Sequence, residues 1–183
     1  MRILLTSLTI AVLIGFSGCS TTEKFSYDTW NKNKSEPMTT EEFTNVFKTY
    51  YVSDWKINET ATDADIKYDN SEFYEAGFAF WDANDDDVID QNEWKSINSF
   101  YFQKYEFEDF KKIDDNENGE LSFTEFREEV EDNGLFTSWD VNDDNAMNEG
   151  ELAQGVFHSY DFDDSGFLEK GEFNTFASDY AER

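Results

Sequence analysis

Half of the carboxylates of this 183-residue chain stand in four stretches of twelve residues, at repeating positions. The stretches are DANDDDVIDQNE at 82–93, DDNENGELSFTE at 114–125, DVNDDNAMNEGE at 140–151 and DFDDSGFLEKGE at 161–172. Each begins with Asp and ends with Glu, carries Asp, Asn or Ser at positions 3 and 5, and has an apolar residue at position 8 (Ile89, Leu121, Met147, Leu168). Closely spaced oxygen donors of this kind suit a hard cation, which takes carboxylate, amide and carbonyl oxygen in preference to nitrogen or sulfur. One His and one Cys leave no donor set for zinc or another softer metal, and no intramolecular disulfide is possible.

This pattern resembles the EF-hand calcium loop. That resemblance implies a ligand set in each stretch: side-chain oxygens from positions 1, 3 and 5, a backbone carbonyl from 7, and two oxygens from the Glu at 12. The implied ligands are Asp82, Asn84, Asp86, Val88 and Glu93 in loop 1, and Asp114, Asn116, Asn118, Glu120 and Glu125 in loop 2. In loop 3 they are Asp140, Asn142, Asp144, Ala146 and Glu151, and in loop 4 Asp161, Asp163, Ser165, Phe167 and Glu172. The implied ion is calcium (Ca2+), and in EF-hand families the apolar residue at position 8 forms a short β-bridge with a partner loop. Lanmodulins, which bind lanthanides through similar loops, carry Pro at position 2; Ala83, Asp115, Val141 and Phe162 stand there, so that likeness fails at this residue and lanthanide selectivity is kept only as a minor alternative.

Position 6 calls for left-handed backbone, which Gly adopts without strain and Asn tolerates better than Asp. It is Asp87, Gly119, Asn145 and Gly166. Loop 4 combines Gly166 with four ligand-position acids and is expected to bind most tightly. Loop 2, with the fewest, is expected to bind most weakly.

The elements that must position these loops repeat as well. Trp81, Ile113, Trp139 or Tyr160 precedes each loop, a Phe (Phe78, Phe110, Phe136, Phe157) stands four residues before it, and Trp94, Phe126, Leu152 or Phe173 follows it. Apolar residues three and four apart share one face of a helix, so each loop should sit between two amphipathic helices. The fold class expected is all-α: an EF-hand helix–loop–helix array with short β-bridges between paired loops, in one compact four-loop domain over 82–183. The Phe-rich faces read as its core, and His158 as a partly buried surface residue.

The gaps between loops are uneven. Residues 152–160 hold a single short helix, which would put loops 3 and 4 at opposite ends of it. Asp132-Asn133-Gly134 reads as a turn between two short helices. These spacings favour pairing loop 2 with 3 and loop 1 with 4; the familiar order of 1 with 2 and 3 with 4 is the alternative. Upstream, in the helical segment 38–81, residues 40–51 read as a helix opened by a Thr39-x-x-Glu42 capping box, and 71–81 as the entry helix of loop 1. The segment 52–70 reads as a connecting loop, or as a degenerate fifth hand.

Residues 1–18 pair an early Arg with a short apolar stretch and fit a secretory signal. Phe16-Ser17-Gly18-Cys19 resembles the lipobox of bacterial lipoproteins, which implies lipidation of Cys19 and anchorage at the cell envelope, an outer membrane being indicated by Ser20; secretion is the alternative. Residues 19–37 read as the lipidated Cys and a polar tether.

A formal charge of −28 argues against nucleic acid and anionic surfaces as partners. No nucleophile–base constellation is legible, and an enzyme is not expected. The expected function is calcium binding as an envelope-anchored sensor or buffer, acting through an unidentified protein partner if a sensor. The alternative is a structural or interaction module stapled by calcium.

Overall fold

The computed structural model describes residues 26–34, 37–50, 67–100, 105 and 107–181. The signal segment, Cys19 and residues 20–25, 35–36 and 51–66 lie outside them. The described chain is mostly helical, with a few two- and three-residue antiparallel strands. In order it runs α1 (Tyr27–Trp30), β1 (Met38–Thr39), α2 (Thr40–Tyr50), β2 (Lys67–Asp69), α3 (Asn70–Trp81), β3 (Ile89–Asp90), α4 (Gln91–Phe100), α5 (Phe110–Ile113), β4 (Glu120–Leu121), α6 (Phe123–Asp132), α7 (Leu135–Trp139), β5 (Ala146–Asn148), α8 (Glu149–Tyr160), β6 (Phe167–Leu168) and α9 (Lys170–Ala181). No helix among the described residues is long and apolar enough to cross a membrane.

Each twelve-residue loop lies between two helices, and loops 3 and 4 stand at the two ends of α8. The turn at 132–134 separates α6 from α7, with Gly134 at φ 68°. Strand pairing follows neither of the orders expected from the gaps. Ile89 of loop 1 faces Leu121 of loop 2. Met147 of loop 3 faces Tyr68, and Leu168 of loop 4 faces Met38. The expected pairings 2–3 and 1–4 are therefore wrong, and of the alternative only 1–2 survives.

The reason is local. The single helix α8 separates loops 3 and 4 too far to bridge each other, and strands upstream of loop 1 take their free edges. Residues 67–69 supply one of those strands, so this end of the 52–70 segment is more than a connector. The tether assignment also needs correction: α1 lies within 19–37, and Trp30 and Asn31 are buried.

The core is built from the residues that flank the loops. All four Phe residues placed four before a loop, all four residues just before one and all four just after one are buried. Trp30, Phe43, Phe157, Phe173 and Phe176 form one aromatic group, with ring centroids 5.0–5.7 Å apart and mostly edge-to-face. Such contacts add to the burial of the rings themselves. Phe73, Phe136 and Trp139 form a second group, and Phe78, Trp81 and Phe126 a third. The Phe-rich helix faces are thus spent on the interior, while His158 is exposed.

Candidate metal centres

In every loop the Asp at position 1 accepts two backbone hydrogen bonds from across the turn. Asp82 Oδ1 and Oδ2 accept from the N–H groups of Asp86 (3.1 Å) and Asp87 (2.8 Å). Asp114 accepts from Asn118 and Gly119, Asp140 from Asp144 and Asn145, and Asp161 from Ser165 and Gly166, all within 3.2 Å. These four aspartates are buried. A carboxylate removed from water needs such donors, and here they come from the loop's own backbone.

For the position-6 N–H to turn inward, that residue must adopt positive φ. Asp87, Gly119, Asn145 and Gly166 do so, at 65°, 88°, 59° and 81°. Position 4 does the same in all four loops (Asp85, Glu117, Asp143, Asp164, φ 54–57°). That second left-handed residue was not anticipated from the sequence, although Asp at three of the four positions, a residue that enters this region more readily than most, was a usable signal.

The Glu at position 12 closes each loop from the other side. Its Oε2 accepts the position-9 N–H: Asp90 to Glu93 at 2.8 Å, Ser122 to Glu125 at 2.8 Å, Asn148 to Glu151 at 3.1 Å, Glu169 to Glu172 at 3.0 Å. Position 9 is also the N-cap of the exit helix, so in loops 2 and 3 the pair forms a full capping box. Glu Oε1 reaches the start of the loop, accepting from Ala83 N–H in loop 1, the Asn116 and Asn142 side chains in loops 2 and 3, and Phe162 N–H in loop 4. The two ends of each twelve-residue segment are thereby brought together.

Two of the loops gather three carboxylates closely. Oxygens of Asp140, Asp144 and Glu151 all lie within 4.8 Å of one another, as do those of Asp161, Asp163 and Glu172. Like charges this close raise the free energy of the site, and a cation among them would relieve it. Loop 2 achieves its closure with amides at positions 3 and 5.

The closing glutamates differ in protonation cost. Burial pushes Glu125 up, but hydrogen bonds from the Ser122 N–H and hydroxyl, and from the backbone at Asn116 and Asp115, outweigh it and hold the carboxyl below its usual range. Burial and a hydrogen bond shared with the Glu169 carboxyl raise Glu172, against backbone hydrogen bonds from Glu169 and Phe162.

The backbone carbonyls expected at position 7 belong to Val88, Glu120, Ala146 and Phe167; in loop 4 the Ser165 hydroxyl donates to the Phe167 carbonyl at 3.2 Å. Position 5 also fixes the turn in all four loops, where its side-chain oxygen accepts the position-7 N–H. Lys67 was not singled out in the sequence, yet its Nζ lies 3.3 Å from Asp144 Oδ2. Comparison with protein-family profiles, with curated proteins and with solved structures finds no match.

Proposed function

We propose that this chain binds calcium through four EF-hand-type loops and serves at the cell envelope as a calcium-responsive sensor or buffer, tethered by a lipid on Cys19. The observation that carries the calcium reading is the common cage: an Asp at position 1 and a Glu at position 12, each held by backbone N–H groups from across the same twelve residues. The donor set is all oxygen, which fits a hard cation and offers nothing to a soft one.

In this reading Asp82, Asn84, Asp86, the Val88 carbonyl and Glu93 would hold one ion, and the corresponding residues of loops 2, 3 and 4 would hold the others. Bound calcium supplies positive charge and coordination to oxygens that otherwise repel one another. The protein's part is to present those oxygens already turned inward, through positive-φ residues at positions 4 and 6 and through the capping Glu. Four divalent ions would carry the formal charge from −28 to −20, so metal binding should stabilise the fold strongly.

The direct test is a calcium titration of the chelator-stripped chain from residue 20 onward, with magnesium in excess, followed by tryptophan fluorescence. Trp81, Trp94 and Trp139 are buried against the loops. Saturation at micromolar calcium supports a sensor or buffer. Saturation only at millimolar calcium supports the alternative, a module stapled by extracellular calcium. No saturable response would remove the reading.

A further inference from the structure

The strand that completes loop 4 belongs to a segment whose described residues repeat the end contacts of a loop. Residues 31–42 read NKNKSEPMTTEE, and in loop register they place Asn31 at position 1, Asn33 at 3, Met38 at 8, Thr39 at 9 and Glu42 at 12. Trp30 precedes them, as Trp81 and Trp139 precede loops 1 and 3. The Asn31 N–H donates to the Tyr27 carbonyl at 2.8 Å, the bond that Asp82, Asp114, Asp140 and Asp161 make to the residue four before them.

Glu42 Oε2 accepts the Thr39 N–H at 3.1 Å, the Thr39 hydroxyl accepts the Glu42 N–H at 3.2 Å, and Glu42 Oε1 accepts the Asn33 N–H at 3.2 Å. The last contact repeats the one between the Asn142 N–H and Glu151 in loop 3. Asn31 stands where the four acidic loops carry Asp at position 1, so the segment keeps contacts of a loop frame without that charge.

What this frame does is visible across the bridge. Met38 and Leu168 face each other, both with no exposed surface, and Thr39 faces Phe167. The Tyr27 hydroxyl donates to the Leu168 carbonyl at 3.2 Å. The Trp30 ring lies 5.2 Å from that of Phe173, the residue immediately after Glu172. Both the carbonyl at position 7 of loop 4 and the glutamate at position 12 are thus adjacent to residues fixed by 27–42.

We infer that residues 31–34 and 37–42 act as a fifth loop frame that positions loop 4 for its cation instead of holding one, with Met38 as the positioning residue. The inference rests on the calcium reading above. Among the described residues, loops 1 and 2 form the one bridge in which both partners are acidic loops, whereas the bridge of loop 4 is made with the N-terminal segment.

Calorimetric calcium titration of the chain from residue 20, which contains every described residue, tests this with three variants. Asp161→Ala should delete one binding step and so identify loop 4. Met38→Ala should weaken that same step by about tenfold while leaving the others within about twofold, because the Leu168 contact is lost only at this bridge. Met38→Leu, which conserves volume, should restore it. If Met38→Ala folds poorly, Met38→Val carries the test at smaller amplitude. Equal weakening of every step, or no change in the step that Asp161→Ala removes, overturns the positioning role alone. Absence of any calcium step in the unsubstituted chain takes down the calcium reading with it.

Discussion

The Lys67 ammonium lies 3.3 Å from Asp144 Oδ2, the side chain that converges with Asp140 and Glu151 in loop 3. Lys67 reaches it from β2, the strand paired with loop 3. A positive charge is therefore already docked on one carboxylate of a three-carboxylate cluster, from outside the loop.

This contact should weaken cation binding in loop 3. Replacing Lys67 by Met removes a tethered competitor, and calorimetry should show one calcium step tightened by about 1.4- to fivefold, the range set by an exposed ion pair of about 0.2–1 kcal/mol. The gain should shrink in high salt, where the pair is screened. An unchanged or weakened step would mean that Lys67 orients Asp144 and does not compete for it.

Gly155 marks a close approach of α8 to the residue that leads into loop 3. A Cβ at this position would stand 2.1 Å from Trp139 Cδ2, with two further ring atoms within 2.6 Å. The ring cannot readily swing away, since it is buried, packs on Phe73 and donates from Nε1 to the Tyr105 hydroxyl at 2.9 Å. Alanine favours a helix over glycine by about 1 kcal/mol, but overpacking of a core costs about 1–3 kcal/mol. Gly155→Ala should therefore lower the melting temperature and weaken loop 3. Gly171→Ala in α9, where a Cβ meets nothing within 4 Å, should leave the melting temperature unchanged or raise it.

Two buried phenols should report on the fold at high pH. Burial raises Tyr68 to about 12, reinforced by the charges of Glu149 and Glu72. Burial also raises Tyr74 to about 12, opposed by a hydrogen bond with the Phe136 backbone, reinforced by Glu131 and opposed again by Arg127 and Asn70. A folded pKa above the unfolded value of about 10 gives stability that is complete below pH 10 and declines as pH rises toward 12. Phenolate absorbance should show two groups ionising late, or together with unfolding. Tyr68→Phe should move the alkaline midpoint upward; a downward or unchanged midpoint would contradict the assignment.

Much of the site is legible along the chain because its parts are local. A twelve-residue loop closes on itself: Asp at position 1 takes backbone N–H groups at positions 5 and 6, and Glu at position 12 takes the one at position 9. Spacing alone therefore fixes which oxygens converge. The same holds for the Thr39–Glu42 capping box, the helix over 70–81 and the break at Gly134, each decided by contacts a few residues apart.

The pairing of the loops is not local. Ile89, Leu121, Met147 and Leu168 are equivalent apolar residues, and nothing in their spacing says which faces which. The tertiary structure decided that through the aromatic groups that align the helices, and through α8, which sets loops 3 and 4 apart. It also drew Trp30, Asn31 and Met38 into the body. Beyond its capping box this N-terminal segment reads as a tether, because the sequence signal of a loop resides in its charge, whereas its contacts run through Trp30, Met38 and Glu42. Those residues act by burial and capping, and burial is known only once the partners across the bridge are in place.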